Sequence, residues 1–230
     1  MEWSYSGAAG PEHWAELDPA WALAAAGRAQ SPIDIATAAA AKWPGPVAEC
    51  HFAATGFTVE NNGCTVRIVP TSADGFVVLD GAKYVFQQAH FHAPSEHKLD
   101  GRSFPMEMHL VSADDAGGVA AIGLFIAPGA VNEPLREIFD HVAALTTPGL
   151  GYQTVEPVDL SGLIPTGSRV FRYDGSLTTP PCTEGVKWVV YEKPIELSAS
   201  QIGAFSSVYD GNARPVQPPN GRIVKISSRT

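Results

Sequence analysis

The chain has 230 residues, a formal net charge of −9 and 45% hydrophobic residues. This composition predicts one globular domain, residues 1–230, and the acidic balance argues against nucleic acid as a partner because phosphates attract basic surfaces. The longest apolar run, residues 119–127, is much shorter than the ~20 residues that cross a bilayer, so no membrane span is expected.

No positively charged segment followed by an apolar stretch opens the sequence, so no signal peptide is expected. The compartment stays open: cytoplasmic if Met1 is native, and periplasmic or secreted if the sequence is a mature form. The cysteines are too few for a disulfide scaffold and form no C-x-x-C motif; they are Cys50, Cys64 and Cys182.

The first third of the chain combines an irregular opening with two strand hairpins. Residues 1–32 mix aromatic residues with Gly and Pro, which predicts a segment wrapped over the body, with a short helix near residues 20–26. Residues 30–35 lead from a loop into a short strand. Asn61-Asn62-Gly63 predicts a tight turn between two strands, and Asp80-Gly81 predicts a second one.

The next stretch carries a histidine pattern on two strands. Successive side chains of a strand point to opposite faces, so His90 and His92 share a face of one strand, and His109 lies on a second. Gln88 and Glu107 stand two residues before a histidine on the same faces, where they can accept from imidazole N–H groups. Three histidines are the ligand count of a catalytic zinc, which keeps a fourth position for water. One such histidine alone would be read as a half-buried strand residue, but the paired spacing favours a metal site.

The second half of the chain predicts more strands and two helices. Residues 119–126 predict a central strand covered on both faces. Residues 133–145 have helical apolar spacing with Asn132 as N-cap, and residues 198–208 predict a second helix capped by Ser198. Further strands are predicted at residues 168–173, 186–191 and 223–226. The expected fold is mainly β (α+β by a strict count): a single domain around a twisted, mostly antiparallel sheet of about ten strands, with a few short peripheral helices.

Several motifs, in this order and over essentially the whole chain, resemble those of the α-class carbonic anhydrases. The connection HFHAPSEH is more similar to the bacterial and plant branches than to the animal one. The motifs are GPEHW (10–14), QSPIDI (30–35), ENNG (60–63), QAHFH (88–92), SEH (95–97), MEMHLV (106–111), GSLTTPPCTEGVKW (175–188) and NARPVQP (212–218). The resemblance implies the family's twisted sheet and a zinc lyase that hydrates CO2 reversibly to bicarbonate and a proton by attack of zinc-bound hydroxide. It also implies inhibition by sulfonamides and small anions.

Carried over position by position, the resemblance makes His90, His92 and His109 the ligands of Zn2+. Gln88 and Glu107 become hydrogen-bond acceptors for two of these imidazoles, and the third is expected to use a backbone carbonyl near Asn212. Thr178 would accept from the zinc-bound hydroxide and donate to Glu96, which orients the hydroxide towards CO2. The residues expected to contact the substrate are Val111, Ala121, Leu177, Val186, Trp188 and Thr179.

The sequence departs from the family at three positions. Ala121 is smaller than the Val common there, so the pocket should be slightly wider. The family's proton-shuttle histidine, which follows N-x-G, is replaced by Cys64. Secreted members often pair the Cys of TTPPC with a Cys near the N-terminus, but the matching residues 23–27 read LAAAG. Cys182 is therefore expected to stay reduced, and the alternative is a disulfide with Cys50 or Cys64.

Two alternatives compete with this interpretation. A non-catalytic carbonic-anhydrase-like domain that binds a partner usually lacks one or more ligand histidines, whereas all three are present here together with Thr178 and Glu96. A zinc ester hydrolase would use the same hydroxide, but the sequence has no G-x-S-x-G motif. Esterase action is therefore expected only as a side activity, and a homodimer is a further hypothesis.

Overall fold

A computed structural model describes residues 3–45 and 47–227. Strands dominate these residues, and short helices lie between them. The strands, numbered β1 to β14 in chain order, are Asp34–Ile35, Ala41–Trp43, Glu49–His51, Phe57–Asn61, Val66–Pro70, Phe76–Leu79, Ala82–His92, Lys98–Leu99, Met106–Ala113, Val119–Pro128, Gly151–Gln153, Val170–Ser176, Glu184–Leu197 and Lys225–Ser227.

Twelve of these strands form one twisted mixed sheet. Its main path runs β11-β4-β5-β7-β9-β10-β13-β12-β14-β2, β6 pairs with β7, and β3 pairs with β6. Within this sheet the neighbours are antiparallel except for two parallel pairs, β10–β13 and β14–β2. The remaining strands, β1 and β8, form a small parallel pair of their own. The prediction of a mainly β domain around a mostly antiparallel sheet is confirmed, with about two strands more than expected.

The two predicted hairpins are both present, but their turns differ. Asp80 and Gly81 have φ angles of 53° and 81°, the left-handed conformation that a two-residue turn between antiparallel strands requires. The other hairpin is wider, because Asn61 pairs with Val66 and four residues lie between them. There Asn62 Oδ1 accepts from the backbone N–H groups of residues 64 and 65, at 3.0 and 2.9 Å, which stabilises the longer loop.

The part of the chain that the structure describes forms four α-helices, all of them short. They span Trp14–Leu17 (α1), Leu23–Ala26 (α2), Arg136–Val142 (α3) and Ala199–Ser206 (α4), and single 3-10 turns lie at Gly7–Ala9, Pro19–Trp21, Thr37–Ala39 and Ser161–Leu163. Ser198 caps α4 through a capping box with Gln201, as predicted. The helix predicted over residues 133–145 is wrong at both ends. Asn132 Oδ1 caps a turn by accepting from the Leu135 N–H at 3.3 Å, and the helix itself begins only after that turn.

Buried side chains form two clusters on opposite faces of the sheet. Alternate residues of β10 join different clusters: Ile122 and Leu124 belong to the larger one, and Ala121 and Phe125 belong to the smaller one. The larger cluster also contains the inward face of α3. The prediction of a central strand covered on both faces is therefore confirmed for β10.

No described helix is long and apolar enough to span a bilayer. Among the described residues, no disulfide involves Cys182, which is buried.

Candidate metal centre

Strands β7 and β9 bring the three predicted histidines together. They pair antiparallel with His90 opposite His109 and His92 opposite Glu107. Residues directly opposite each other share a face, so all three imidazoles project from one side of the sheet, called here the histidine face. The ring centroids of the three histidines lie 4.7 to 5.2 Å apart.

One nitrogen of each imidazole is engaged by an oxygen that carries no hydrogen. Each of these ring nitrogens must therefore be the donor, which fixes the tautomer and leaves the other nitrogen with its lone pair. The pairs are His90 Nδ1 with Gln88 Oε1 at 2.9 Å, His92 Nδ1 with the Asn212 carbonyl oxygen at 2.7 Å, and His109 Nε2 with Glu107 Oε1 at 2.9 Å.

The remaining nitrogens suit a metal ion. One nitrogen from each of the three rings lies within 4.8 Å of the others, and His92 Nε2 is buried among the described atoms without a hydrogen-bond partner. Burial lowers the pKa of all three imidazoles, to about 4 for His92, which favours the neutral form that a metal needs. Three neutral imidazoles are a donor set that suits zinc.

A second group of possible ligands, His97, Glu107 and His109, is a hydrogen-bonded network. Glu107 Oε1 accepts from His97 Nδ1 at 2.7 Å and from His109 Nε2, and Oε2 accepts from the His97 backbone N–H at 2.8 Å. Burial alone would raise the pKa of Glu107, but His97 and His109 hold it well below its usual range. Glu107 is thus a carboxylate that fixes two rings.

The network extends to two residues that the sequence did not single out. Tyr173 donates to His97 Nε2 at 2.7 Å, and Ser31 Oγ lies 2.8 Å from the same tyrosine oxygen. His97 was overlooked although it directly follows Glu96 in the SEH motif. Ser31 lies within the QSPIDI motif, whereas Tyr173 carries no such local signal.

Glu96 lies beside the histidines with one oxygen held and one aimed at the rings. Its Oε1 accepts from the Arg214 backbone N–H at 2.8 Å. Its Oε2 has no hydrogen-bond partner among the described residues and lies 3.4 Å from His92 Nε2 and 3.8 Å from His109 Nδ1. Burial raises the pKa of Glu96 to about 7, against the opposing effects of His109 and of a hydrogen bond from Thr178.

A cavity of about 190 Å³ opens over two of the histidines. Its wall is mostly apolar, and the polar groups on it are uncharged amide, hydroxyl and imidazole groups. It is lined by Gln88, His90, His109, Val111, Ala121, Leu177, Thr178, Thr179, Val186 and Trp188. All the residues expected to contact the substrate therefore lie around one space.

Cys64 lies near this centre but outside the cavity lining. It is half-buried in the loop between β4 and β5. Its carbonyl oxygen accepts from Asn212 Nδ2 at 3.1 Å, and the Asn212 carbonyl oxygen in turn accepts from His92. The loop of Cys64 and the histidine face are thus connected through one asparagine.

Comparisons with known proteins give one consistent answer. The family profile described as eukaryotic-type carbonic anhydrase matches residues 9–228. A carbonic anhydrase of Pectobacterium atrosepticum is 39% identical over 97% of this chain and 90% of its own length. One from Nostoc sp. is also 39% identical, over 97% of this chain and 85% of its own.

Solved structures agree with these matches. The α-carbonic anhydrase of Thermovibrio ammonificans, in complex with the inhibitor sulfanilamide, is 39% identical and superposes with a TM-score of 0.90 over 99% of each chain. Dioscorin in complex with ascorbate is 28% identical, with a TM-score of 0.93 over 100% of this chain and 99% of its own. With a matching profile over nearly its whole length, and relatives well above 30% identity, the chain belongs to the eukaryotic-type, or α-class, carbonic anhydrase family of enzymes.

Proposed function

We propose that residues 1–230 form one catalytic domain that interconverts CO2 and bicarbonate with release or uptake of a proton, using a zinc ion held by His90, His92 and His109. The observation that supports this is the set of three neutral imidazoles, each with one nitrogen near a common point under an apolar cavity. When bound, zinc makes hydroxide available from water near neutral pH, an effect for which carbonic anhydrases are the reference example.

The residues around the histidines orient them for this purpose. Gln88, Glu107 and the carbonyl of Asn212 each accept one ring N–H, so that the other nitrogen faces the common point. Such outer contacts typically change metal affinity or activity by about ten- to a hundredfold. His97 and Tyr173 hold Glu107 in place and thereby act on His109 only indirectly.

Thr178 and Glu96 select and orient the ligand. The Thr178 hydroxyl donates to the Glu96 carboxylate, so its own oxygen has only lone pairs to offer. It can then accept only from a ligand atom that carries a hydrogen. A cation at the histidines would favour the charged form of Glu96 and strengthen this arrangement.

The cavity wall holds the uncharged substrate. Val111, Ala121, Leu177, Val186 and Trp188 offer apolar surface and exclude water. Thr179 adds one hydroxyl to this wall. Since CO2 carries no charge, an apolar wall can accommodate it without leaving buried polar groups unpaired.

The test is His109→Ala, assayed for zinc content and for CO2 hydration by stopped flow, with and without a chelator. We expect strongly reduced zinc and activity. His141→Ala is the control, because His141 lies exposed on α3, where it donates to the Glu137 carbonyl at 2.8 Å. Full zinc and full hydration activity in His109→Ala would refute the assignment.

Two further expectations belong to the same proposal. Activated esters should be hydrolysed slowly at this site, and that activity should disappear together with CO2 hydration in His109→Ala. A homodimer stays a prediction, which light scattering on the purified protein can check.

A further inference from the structure

An ion pair of Arg67 and Glu60 lies on the histidine face, on the hairpin next to the strand that carries His90. Glu60 stands directly opposite Arg67 on the β4–β5 hairpin, and Arg67 stands directly opposite His90 on the neighbouring strand β7. Residues opposite each other in a sheet share a face, so both charges lie on the histidine face.

Two of the three guanidinium nitrogens of Arg67 take part in the ion pair. Nε and Nη2 of Arg67 both donate to one oxygen of Glu60, the former at 2.8 Å. Nη1 donates to no residue in the part of the chain that the structure describes. The two side chains are 41% and 32% exposed. Solvent therefore screens the pair, and Glu60 reduces the field of Arg67 without abolishing it.

The charged groups near the histidines are the buried carboxylates of Glu96 and Glu107 and the ion pair of Arg67 and Glu60. Among the described residues, no Asp, Glu, Lys or Arg lines the cavity itself. The whole chain carries a net charge of −9, so its overall field opposes the approach of an anion. Of the two carbon species in the proposed reaction, CO2 is neutral and bicarbonate is an anion, so the charge of Arg67 attracts bicarbonate and leaves the binding of CO2 unchanged.

We infer that Arg67 sets the affinity of the metal cavity for small monoanions, bicarbonate among them, and that Glu60 weakens this affinity. The inference rests on the proposed function. Arg67 is a specificity-determining residue: it acts through its charge on an anion in the cavity and does not touch the reacting atoms. Glu60 keeps the anion from binding too tightly, which favours release of the product.

The test is calorimetric titration of the zinc-loaded protein with thiocyanate, a monoanion that is not turned over. For Arg67→Gln we expect the Kd to rise about three- to tenfold, the size expected for the loss of one solvent-screened charge. For Glu60→Gln we expect the Kd to fall about two- to threefold by the same argument. The opposite signs separate a charge effect from damage to the hairpin, since damage would weaken binding in both variants.

A matched pair elsewhere controls for net charge. Arg169 and Glu192 also form an ion pair through two guanidinium nitrogens, with side chains 42% and 26% exposed, but neither stands opposite a histidine in the sheet. Arg169→Gln and Glu192→Gln should leave the Kd for thiocyanate unchanged. An equal shift of the Kd in Arg169→Gln, or shifts of the same sign in Arg67→Gln and Glu60→Gln, would overturn this inference but not the proposed function. A wild-type protein that binds no thiocyanate would overturn the proposed function as well.

Discussion

In the proposed function, the hydroxyl of Thr178 decides which ligands the cavity accepts. Replacing it with Val keeps the shape but removes both the donor to Glu96 and the acceptor for the ligand. We expect Thr178→Val to keep its zinc and to lose about ten- to a hundredfold in kcat/KM for CO2 hydration, the range of such outer contacts. Affinity for sulfanilamide, the inhibitor bound to the Thermovibrio relative, should fall as well.

Thr178→Ser is the matched control, because it restores the hydroxyl without the methyl group. It should recover most of the lost kcat/KM. Unchanged kcat/KM in Thr178→Val would rule out this role for the hydroxyl.

Cys64 stands where the family has its proton-shuttle histidine, so it affects how the proton released by CO2 hydration leaves the site. A group that carries this proton to buffer needs a pKa near the working pH, and a thiol at ~8.5 is mostly protonated at neutral pH, whereas imidazole at ~6.5 suits the task. Attack on CO2 does not depend on this step, so kcat/KM should be high while kcat is limited by proton export. Imidazole buffers should raise kcat, and Cys64→His should raise it without them.

Cys64→Ser separates the effect of the new imidazole from loss of the thiol, and its kcat should stay low. The prediction fails if the wild type in dilute, non-imidazole buffer already turns over as fast as Cys64→His. In that case another group carries the proton.

The histidines of the candidate metal centre and their partners show which site residues a sequence can predict. His90, His92 and His109 were found because strand alternation is a local rule that needs only neighbouring residues. The roles of Ser31 and Tyr173 were missed because their contacts, with each other and with His97, join positions 142 and 76 residues apart. Only the pairing of distant strands brings those side chains together.

In strand β10, Gly123 leaves room for Glu107 at the candidate metal centre. Gly123 stands opposite His109, and a Cβ atom there would lie 2.9 Å from Glu107 Oε1. That oxygen cannot move freely, since it accepts from both His97 and His109. Gly123→Ala should therefore displace Glu107, reduce zinc content and lower the free energy of unfolding by about 1–3 kcal/mol, the usual cost of overpacking.

Zinc analysis and chemical denaturation check this prediction. Gly203 in α4 provides the control, because a Cβ there meets nothing within 4 Å. Gly203→Ala should keep its zinc and be as stable or slightly more stable, since Ala is the better helix former. Equal zinc content in the two variants would contradict the role of Gly123.

Element boundaries were harder to predict than element types. The strand predicted at residues 186–191 continues in the structure to Leu197, past Pro194. The register of β13 against β10 slips between Tyr191 and Ile195, so the proline falls in an irregular stretch where no ladder hydrogen bond is needed. A breaker in the sequence therefore marked a bulge and not the end of the strand.

At the scale of the whole molecule, Arg214 connects the N-terminal segment to the metal centre. Its guanidinium donates to Gln30 Oε1 and the Ser31 carbonyl, each at 2.8 Å, and to the Ala24 carbonyl at 3.0 Å. Its backbone N–H donates to Glu96. The sequence predicted only that residues 1–32 wrap over the body, because the contacts that hold them are supplied from almost 200 positions away.

Arg214→Leu should lower the free energy of unfolding by about 2–4 kcal/mol, because the buried oxygens of Gln30 and Ser31 lose a charged donor. Residues 3–32 should also exchange their amide hydrogens faster than in the wild type. Chemical denaturation and hydrogen exchange measure the two effects. Arg136→Leu is the control, because Arg136 at the start of α3 forms an exposed pair with Glu133 in the preceding turn, and its loss should not change stability measurably. If the two variants are equally stable, the N-terminal segment is held by its apolar contacts around the buried Trp14 and not by the arginine.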